Sequence, residues 1–160
     1  MRYGCLKIKL LCMDVDGTLT DGKIYISNSG ELVKAFDVKD GYGISHVLSQ
    51  NNIMPVIITG RISEIVLKRA VELGVEEVYQ GVVDKNIILQ TLIQKYRCEY
   101  DEIAYIGDDF PDLECIKKCG ISGCPGDAVD DIKKVCDYVC LKKSGDGAVR
   151  EFIDWLVIHG

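Results

Sequence analysis

The sequence predicts an α/β fold built on a doubly wound parallel sheet, and three observations predict it. Short β-branched runs alternate with amphipathic helical stretches along almost all of the 160 residues. Several of the strand runs are apolar on both faces, as strands covered by helices on each side must be. No repeat, low-complexity tract or linker interrupts the alternation, so residues 1–160 are read as a single domain.

Taken in order, the first strand is expected at residues 9–14. Residues 23–27 and 32–38 flank Asn28-Ser29-Gly30, a turn signal, and predict a β-hairpin projecting after that strand. Helical spacing over 41–50 leads to a strand at 53–59, a helix at 63–73 and a short strand at 77–79. The second half repeats the pattern: helix 85–96, strand 103–107, helix 109–119, strand 121–123, helix 127–135, strand 138–141. A last helix over 148–158 carries Trp155, expected to pack it onto the sheet.

Composition narrows the function classes. Hydrophobic residues make up 48% and only 3 residues are Pro, which is globular rather than disordered. The 19 basic and 25 acidic residues leave a net charge of −6, against the basic face that nucleic-acid binders carry. The longest apolar runs, such as 54–59, fall far short of the roughly 20 residues of a membrane span. No signal-peptide core precedes the first strand, so a cytoplasmic protein is expected. Cys115 and Cys119, like Cys136 and Cys140, have ligand-like spacing but lie in helix or strand without the intervening turn of a zinc knuckle. The 8 cysteines are therefore read as buried small hydrophobes in a reducing compartment.

Doubly wound sheets bind ligands beyond the carboxyl ends of their strands. That rule collects Asp14 and Asp16 after the first strand, in Asp14-Val15-Asp16-Gly17-Thr18, with Thr59 and Gly60 after the second. It adds Asp108, Asp109 and Asp112 after 103–107, and Lys85 at a helix start. Each piece alone has an ordinary explanation as a turn, a helix N-terminus or a surface charge. Together, at consecutive strand ends, the carboxylates would repel strongly without a cation. Hard oxygen donors suit Mg2+, which commonly shares its shell with a phosphate.

These four motifs resemble those of the haloacid dehalogenase superfamily, largely Mg2+-dependent phosphatases that work through an aspartyl-phosphate. The resemblance implies Asp14 as nucleophile, Asp16 as general acid/base, and Thr59 and Lys85 on the phosphoryl oxygens. It also implies Mg2+ held by Asp14, Asp108 and the Asp16 carbonyl, with Asp109 behind them. Thr59 and Lys85 are 26 positions apart, which leaves no room for a cap domain between them.

A narrower resemblance covers residues 9–156. Ala35-Phe36-Asp37-Val38-Lys39-Asp40-Gly41-Tyr42-Gly43-Ile44, Ile58-Thr59-Gly60-Arg61, Tyr79-Gln80-Gly81 and the tail from Gly145 to Glu151 are similar to capless phosphatases of 3-deoxy-D-manno-octulosonate 8-phosphate. That family implies a homotetramer in which a neighbour's hairpin and tail close the site. It implies sugar-acid contacts at Asp16, Asp37, Val38, Lys39, Asp40, Gly41, Gly60, Arg61 and Arg69, with Lys85 on the phosphate. An Arg fork suits a carboxylate because it binds both oxygens. Ser45 departs from the family pattern, which has Arg there, and Gly81-Val82-Val83-Asp84-Lys85 also resembles phosphatases of nine-carbon sugar acids. Three other readings remain at this point: a nine-carbon substrate, a macromolecular substrate if the chain is monomeric, and a phosphoacceptor or binding domain without turnover. Asp16, two positions after the nucleophile, argues against a persistent phosphoaspartate.

Overall fold

The computed structural model describes residues 7–160. Strand β1 (Leu10–Met13) is wholly buried, and its residues alternate between two cores. Leu11 and Met13 face one layer while Leu10 and Cys12 face the other, as the period of two in a strand requires. Around it stand β4 (Met54–Ile58), β5 (Glu77–Tyr79), β6 (Ile103–Ile106), β7 (Ile121–Cys124) and β8 (Tyr138–Val139). The order is β5-β4-β1-β6-β7-β8, and every pairing is parallel.

Helices cover both faces. On one side, α3 (Glu64–Leu73) and α7 (Ala148–His159) join a continuous helical segment of α1 (Val38–Tyr42), a π-helical stretch at Gly43–Val47 and α2 (Leu48–Gln50). Ile44, Leu48, Val66, Phe152 and Ile153 fill that layer against the sheet. On the other side, α4 (Lys85–Tyr96), α5 (Leu113–Lys118) and α6 (Asp130–Lys133) contribute Leu89, Leu92, Ile116 and Ile132. The chain winds outward from β1 to β4 and β5, then from β6 to β7 and β8. The switch in direction leaves a crevice at the carboxyl ends of β1 and β6. Met13 lies opposite both Ile57 and Ile106, so the three central strands end nearly level.

The expected alternation is present, with shifted boundaries that have local causes. The hairpin is shorter than its pattern: β2 (Tyr25–Ser27) pairs antiparallel with β3 (Gly30–Val33) as a separate two-stranded sheet. Residues 34–38 are not strand because Asp37 caps α1, its Oδ1 accepting the N–H of Lys39 at 2.7 Å and of Asp40 at 3.2 Å. The helix expected at 41 therefore begins at Val38. The helix expected over 109–119 splits into a 3₁₀ turn at Phe110–Asp112, containing Pro111, followed by α5. Asp127 stays outside α6 because its carboxylate takes the N–H and Oγ–H of Ser144 at 2.8 and 3.0 Å. Beyond β8 the Cys140 N–H still bonds to the Cys124 carbonyl at 2.9 Å, and Glu151 then takes the N–H groups of Leu141 and Lys142 at 2.8 and 2.9 Å, which ends the pairing.

Between Thr59 and Lys85 the chain forms only α3, β5 and their loops. Cys12, Cys98, Cys115, Cys124 and Cys140 are buried free thiols, and Cys119 and Cys136 are partly buried. Cys5 lies outside the described residues. Among the described residues, no helix is long and apolar enough to cross a membrane.

Candidate active site

Asp14 follows β1 directly, its N–H bonded to the carbonyl of Ile106 at 3.1 Å, so the sheet itself aims this carboxylate into the crevice. Thr59 follows β4 in the same way, donating its N–H to Tyr79 at 2.9 Å. Lys85, first residue of α4, reaches back with its side chain 3% exposed. Its Nζ lies 2.6 Å from Asp14 Oδ1 and 2.7 Å from Asp112 Oδ1. Asp108 stands across from Asp14 and receives the Thr18 hydroxyl at 3.1 Å. Gly17, at φ +90, lies so close to Asp108 that a Cβ would collide with its carboxylate, which only glycine avoids.

These side chains line one open cleft of about 270 Å³. Asp14, Asp16, Thr59, Gly60, Arg61, Lys85, Asp108, Asp109 and Asp112 all border it, so nine of the residues singled out from sequence share a wall. The remaining candidates do not reach it. Asp37, Asp40, Gly41 and Arg69 line a separate pocket of about 10 Å³, the size of one water. Asp40 is buried, and its Oδ1 accepts the N–H of Arg150 in the first turn of α7 at 2.8 Å. Burial, partly offset by that N–H, pushes its carboxyl up to about 6. Arg69 pairs with Glu72 at 3.1 Å and lies 5.6 Å over the Phe36 ring. Val38 and Lys39 are exposed on α1. Within one chain this group ties α1 to α3 and α7.

Asp112 is the residue whose role sequence left unassigned. It is 1% exposed, and both of its oxygens are engaged. Oδ1 takes Lys85 and the Tyr105 hydroxyl, each at 2.7 Å, and Oδ2 takes the N–H of Asp108 at 3.0 Å and of Asp109 at 3.4 Å. It thus fixes the lysine and the loop that carries Asp108. Its place four positions after Asp108 was the available signal, because one helical turn returns a side chain to the start of its loop. Thr18 carried no comparable signal.

Oxygens of Asp14, Asp108 and Asp112 lie within 4.8 Å of one another, close enough to share a cation. With Asp112 saturated by hydrogen bonds, Asp14 and Asp108 are the carboxylates left to ligate. Burial first, then the Asp112 charge, lifts the Asp14 carboxyl to about 6 against the pull of Lys85. Burial and then the Asp14 charge lift Asp108 to about 8. Burial would lower Lys85, but the Asp14 and Asp112 charges outweigh it and raise its pKa. Two hard carboxylates under mutual repulsion fit a magnesium ion, which would replace the proton they retain.

That repulsion has a measurable sign. An unfolded aspartate releases its proton near 3.8, so between about pH 4 and 8 the metal-free fold holds protons that the unfolded chain has lost. Stability then falls as pH rises through this window. Metal-free protein is expected to show a lower urea midpoint at pH 8 than at pH 6. Mg2+ should raise the midpoint more at pH 8, where less proton must be displaced. Asp108→Asn should remove the Mg2+ response and the slope between pH 6 and 8. Equal Mg2+ gains at both pH values would place the cation elsewhere.

A cleft with a buried lysine and carboxylates close enough to share a cation suits phosphoryl transfer, because it could neutralise the charge of a phosphate monoester. Comparison with known proteins agrees. Residues 70–153 match the haloacid dehalogenase-like hydrolases. The chain is 43% identical to the 3-deoxy-D-manno-octulosonate 8-phosphate phosphatase of Salmonella typhi over 151 residues, 94% of this chain and 80% of that one. The structure of the Yersinia pestis phosphatase of the same name superposes with a TM-score of 0.92 at 40% identity, covering 99% of this chain and 84% of that one. The Moraxella catarrhalis phosphatase, solved with magnesium, phosphate and KDO, gives a TM-score of 0.89 at 42% identity, covering 94% and 86% of the respective chains. The chain belongs to the haloacid dehalogenase-like hydrolases and, within them, to the family of 3-deoxy-D-manno-octulosonate 8-phosphate phosphatases.

Proposed function

We propose that this protein hydrolyses the phosphate monoester of a 2-keto-3-deoxy sugar acid, 3-deoxy-D-manno-octulosonate 8-phosphate, through an aspartyl-phosphate on Asp14. The observation that carries the reading is the Asp14–Lys85 contact of 2.6 Å at the switch point of the sheet. A carboxylate attacks a charged phosphate only where nearby cations offset the repulsion, and Lys85 is one such cation. Asp14 and Asp108, with the Asp16 carbonyl, would hold Mg2+, which when bound neutralises charge on the phosphoryl oxygens.

In the first step, an Asp14 oxygen bonds to phosphorus as the phosphorus–sugar oxygen bond breaks. The departing oxygen takes its proton from the Asp16 carboxyl. In the second, water attacks the aspartyl-phosphate and gives its proton to Asp16, the bond to Asp14 breaks, and phosphate leaves. Thr59 and Lys85 steady the phosphoryl oxygens, and Gly60 and Arg61 border the side on which the sugar acid lies.

The cleft is open, and the hairpin leaves Ile26, Leu32 and Val33 more than half exposed. A homotetramer in which copies of this chain cover those residues and close one another's sites accounts for both features. In that assembly Asp37, Val38, Lys39 and Arg69 serve the sugar acid, while the buried Asp40 and Gly41 hold α1 in place. Ser45 turns its hydroxyl onto the Gly41 carbonyl at 2.8 Å, so this position supplies no cation to a substrate.

The test is Mg2+-dependent phosphate release from matched eight- and nine-carbon sugar-acid phosphates, with the protein's mass in solution measured alongside. A preference for the eight-carbon ester by a tetramer is expected. A preference for the nine-carbon ester would overturn the substrate assignment, and a monomer at full activity would overturn the shared site.

A further inference from the structure

Lys34 follows β3 and has no part in the steps above, yet its side chain is only 1% exposed. Its Nζ lies between two carboxylates, 2.5 Å from Asp16 Oδ1 and 2.8 Å from Glu31 Oε1. Glu31 in turn accepts the hydroxyl of Ser63, the residue that precedes α3, and the Ser63 N–H donates to Gln80 Oε1 at 2.7 Å. The strands of the hairpin pair only with each other, and this polar chain links the hairpin to Asp16 beside the cleft and to the residue before α3. A lysine ammonium withdrawn from water is costly, and an apolar residue of similar size would hold two elements together as well. The lysine is explained instead by what it grips. Of the two Asp16 oxygens, one is taken by Lys34, and the other has no protein donor among the described residues while Asp16 borders the cleft.

We propose that Lys34 is a positioning residue for the acid–base carboxylate: it pins one oxygen of Asp16 so that the other faces the reacting group, and it ties that orientation to the seat of the hairpin. The inference rests on the acid–base role given to Asp16 above. Loss of Lys34 lets the Asp16 side chain rotate, which impairs proton transfer but leaves Asp14, Lys85 and the phosphoryl oxygens in place. Displacing the hairpin would do the same, so the assembly that covers the hairpin also sets the acid.

The two half-reactions separate this role from a structural one. Nitrophenolate needs no proton to leave, so attack by Asp14 on 4-nitrophenyl phosphate does not require Asp16, whereas hydrolysis of the aspartyl-phosphate does. With Mg2+ present, Lys34→Met is expected to keep the initial burst of nitrophenolate at the wild-type rate. Its steady-state kcat should fall by about 10²-fold and KM should fall with it, leaving kcat/KM near the wild-type value. Lys34→Arg should recover part of that turnover, and it serves as the test variant if Lys34→Met does not fold. Burst and turnover falling together, or neither falling, would overturn the proposal. Asp16→Asn in parallel tells the two failures apart. If it too keeps full turnover, the acid–base reading is wrong; if it alone shows the split, only the role of Lys34 is.

Discussion

Asp14→Asn is expected to lower Mg2+-dependent phosphate release by on the order of 10⁴-fold or more, the scale on which loss of a covalent nucleophile is felt. The amide keeps the shape of the carboxylate but cannot form the acyl phosphate at a useful rate. The fold should not suffer. Asp14 is a buried charge facing Asp108 and Asp112, and the carboxyl is already lifted to about 6 by that setting. Removing its charge relieves repulsion, and Lys85 keeps Asp112 as a partner at 2.7 Å. Metal-free Asp14→Asn should therefore melt at or above the wild-type temperature. No nitrophenolate burst should appear. Turnover within tenfold of wild type would move the nucleophile to another residue.

Lys85→Met combines the second large loss of rate with a large loss of stability. The ammonium contacts Asp14 and Asp112, and all three side chains are nearly inaccessible to water. Without it, two buried carboxylates lose their shared cation, and removing one member of a buried ion pair costs about 3–5 kcal/mol. Phosphate release should fall by about 10²–10³-fold, the usual effect of deleting one group that stabilises developing charge. Mg2+ should recover part of the stability through Asp14 and little of the rate, because Asp112 still lacks a counter-charge. Urea denaturation with and without Mg2+ measures the first, and phosphate release the second. A variant as stable as wild type would show that the Asp112 hydrogen bonds from Tyr105 and the loop suffice alone.

The two variants differ because Asp14 and Lys85 hold opposite positions in the same charge balance. Asp14 destabilises the metal-free fold and, in the proposed mechanism, is kept for chemistry. Lys85 serves both in that mechanism, since the buried carboxylates need its positive charge whether or not a phosphate is bound. Asp112 makes the arrangement possible by giving Lys85 a second anchor and bonding the N–H groups of Asp108 and Asp109.

How much of this is legible in the sequence follows from the range of each interaction. Asp14, Thr59, Lys85 and Asp108 can be placed together because each follows a strand or opens a helix. A run of apolar residues locates such an end to within a residue or two. Boundaries shift where a side chain intervenes: Asp37 starts α1 early, and Glu151 ends the pairing beyond β8. Resemblance places Asp40 among the substrate contacts, yet in the chain its carboxylate meets the Arg150 N–H, 110 positions away. Nothing in the sequence singles out Lys34. A lysine after a hairpin strand has the pattern of a solvated charge, and only the way the hairpin lies against the cleft withdraws it from water.

The order of strands and helices, the two-sided core and the four motifs at the strand ends were thus determined by the sequence itself. They depend on backbone periodicity and turn chemistry, which act over a few residues. That Asp112 anchors Lys85 and the loop carrying Asp108 was decided only by the tertiary structure. So were the seating of Asp40 on α7 and the grip of Lys34 on Asp16. Partner choice among charges is set by separation and burial once distant segments meet in a low-dielectric interior, and neither quantity exists until the chain has folded.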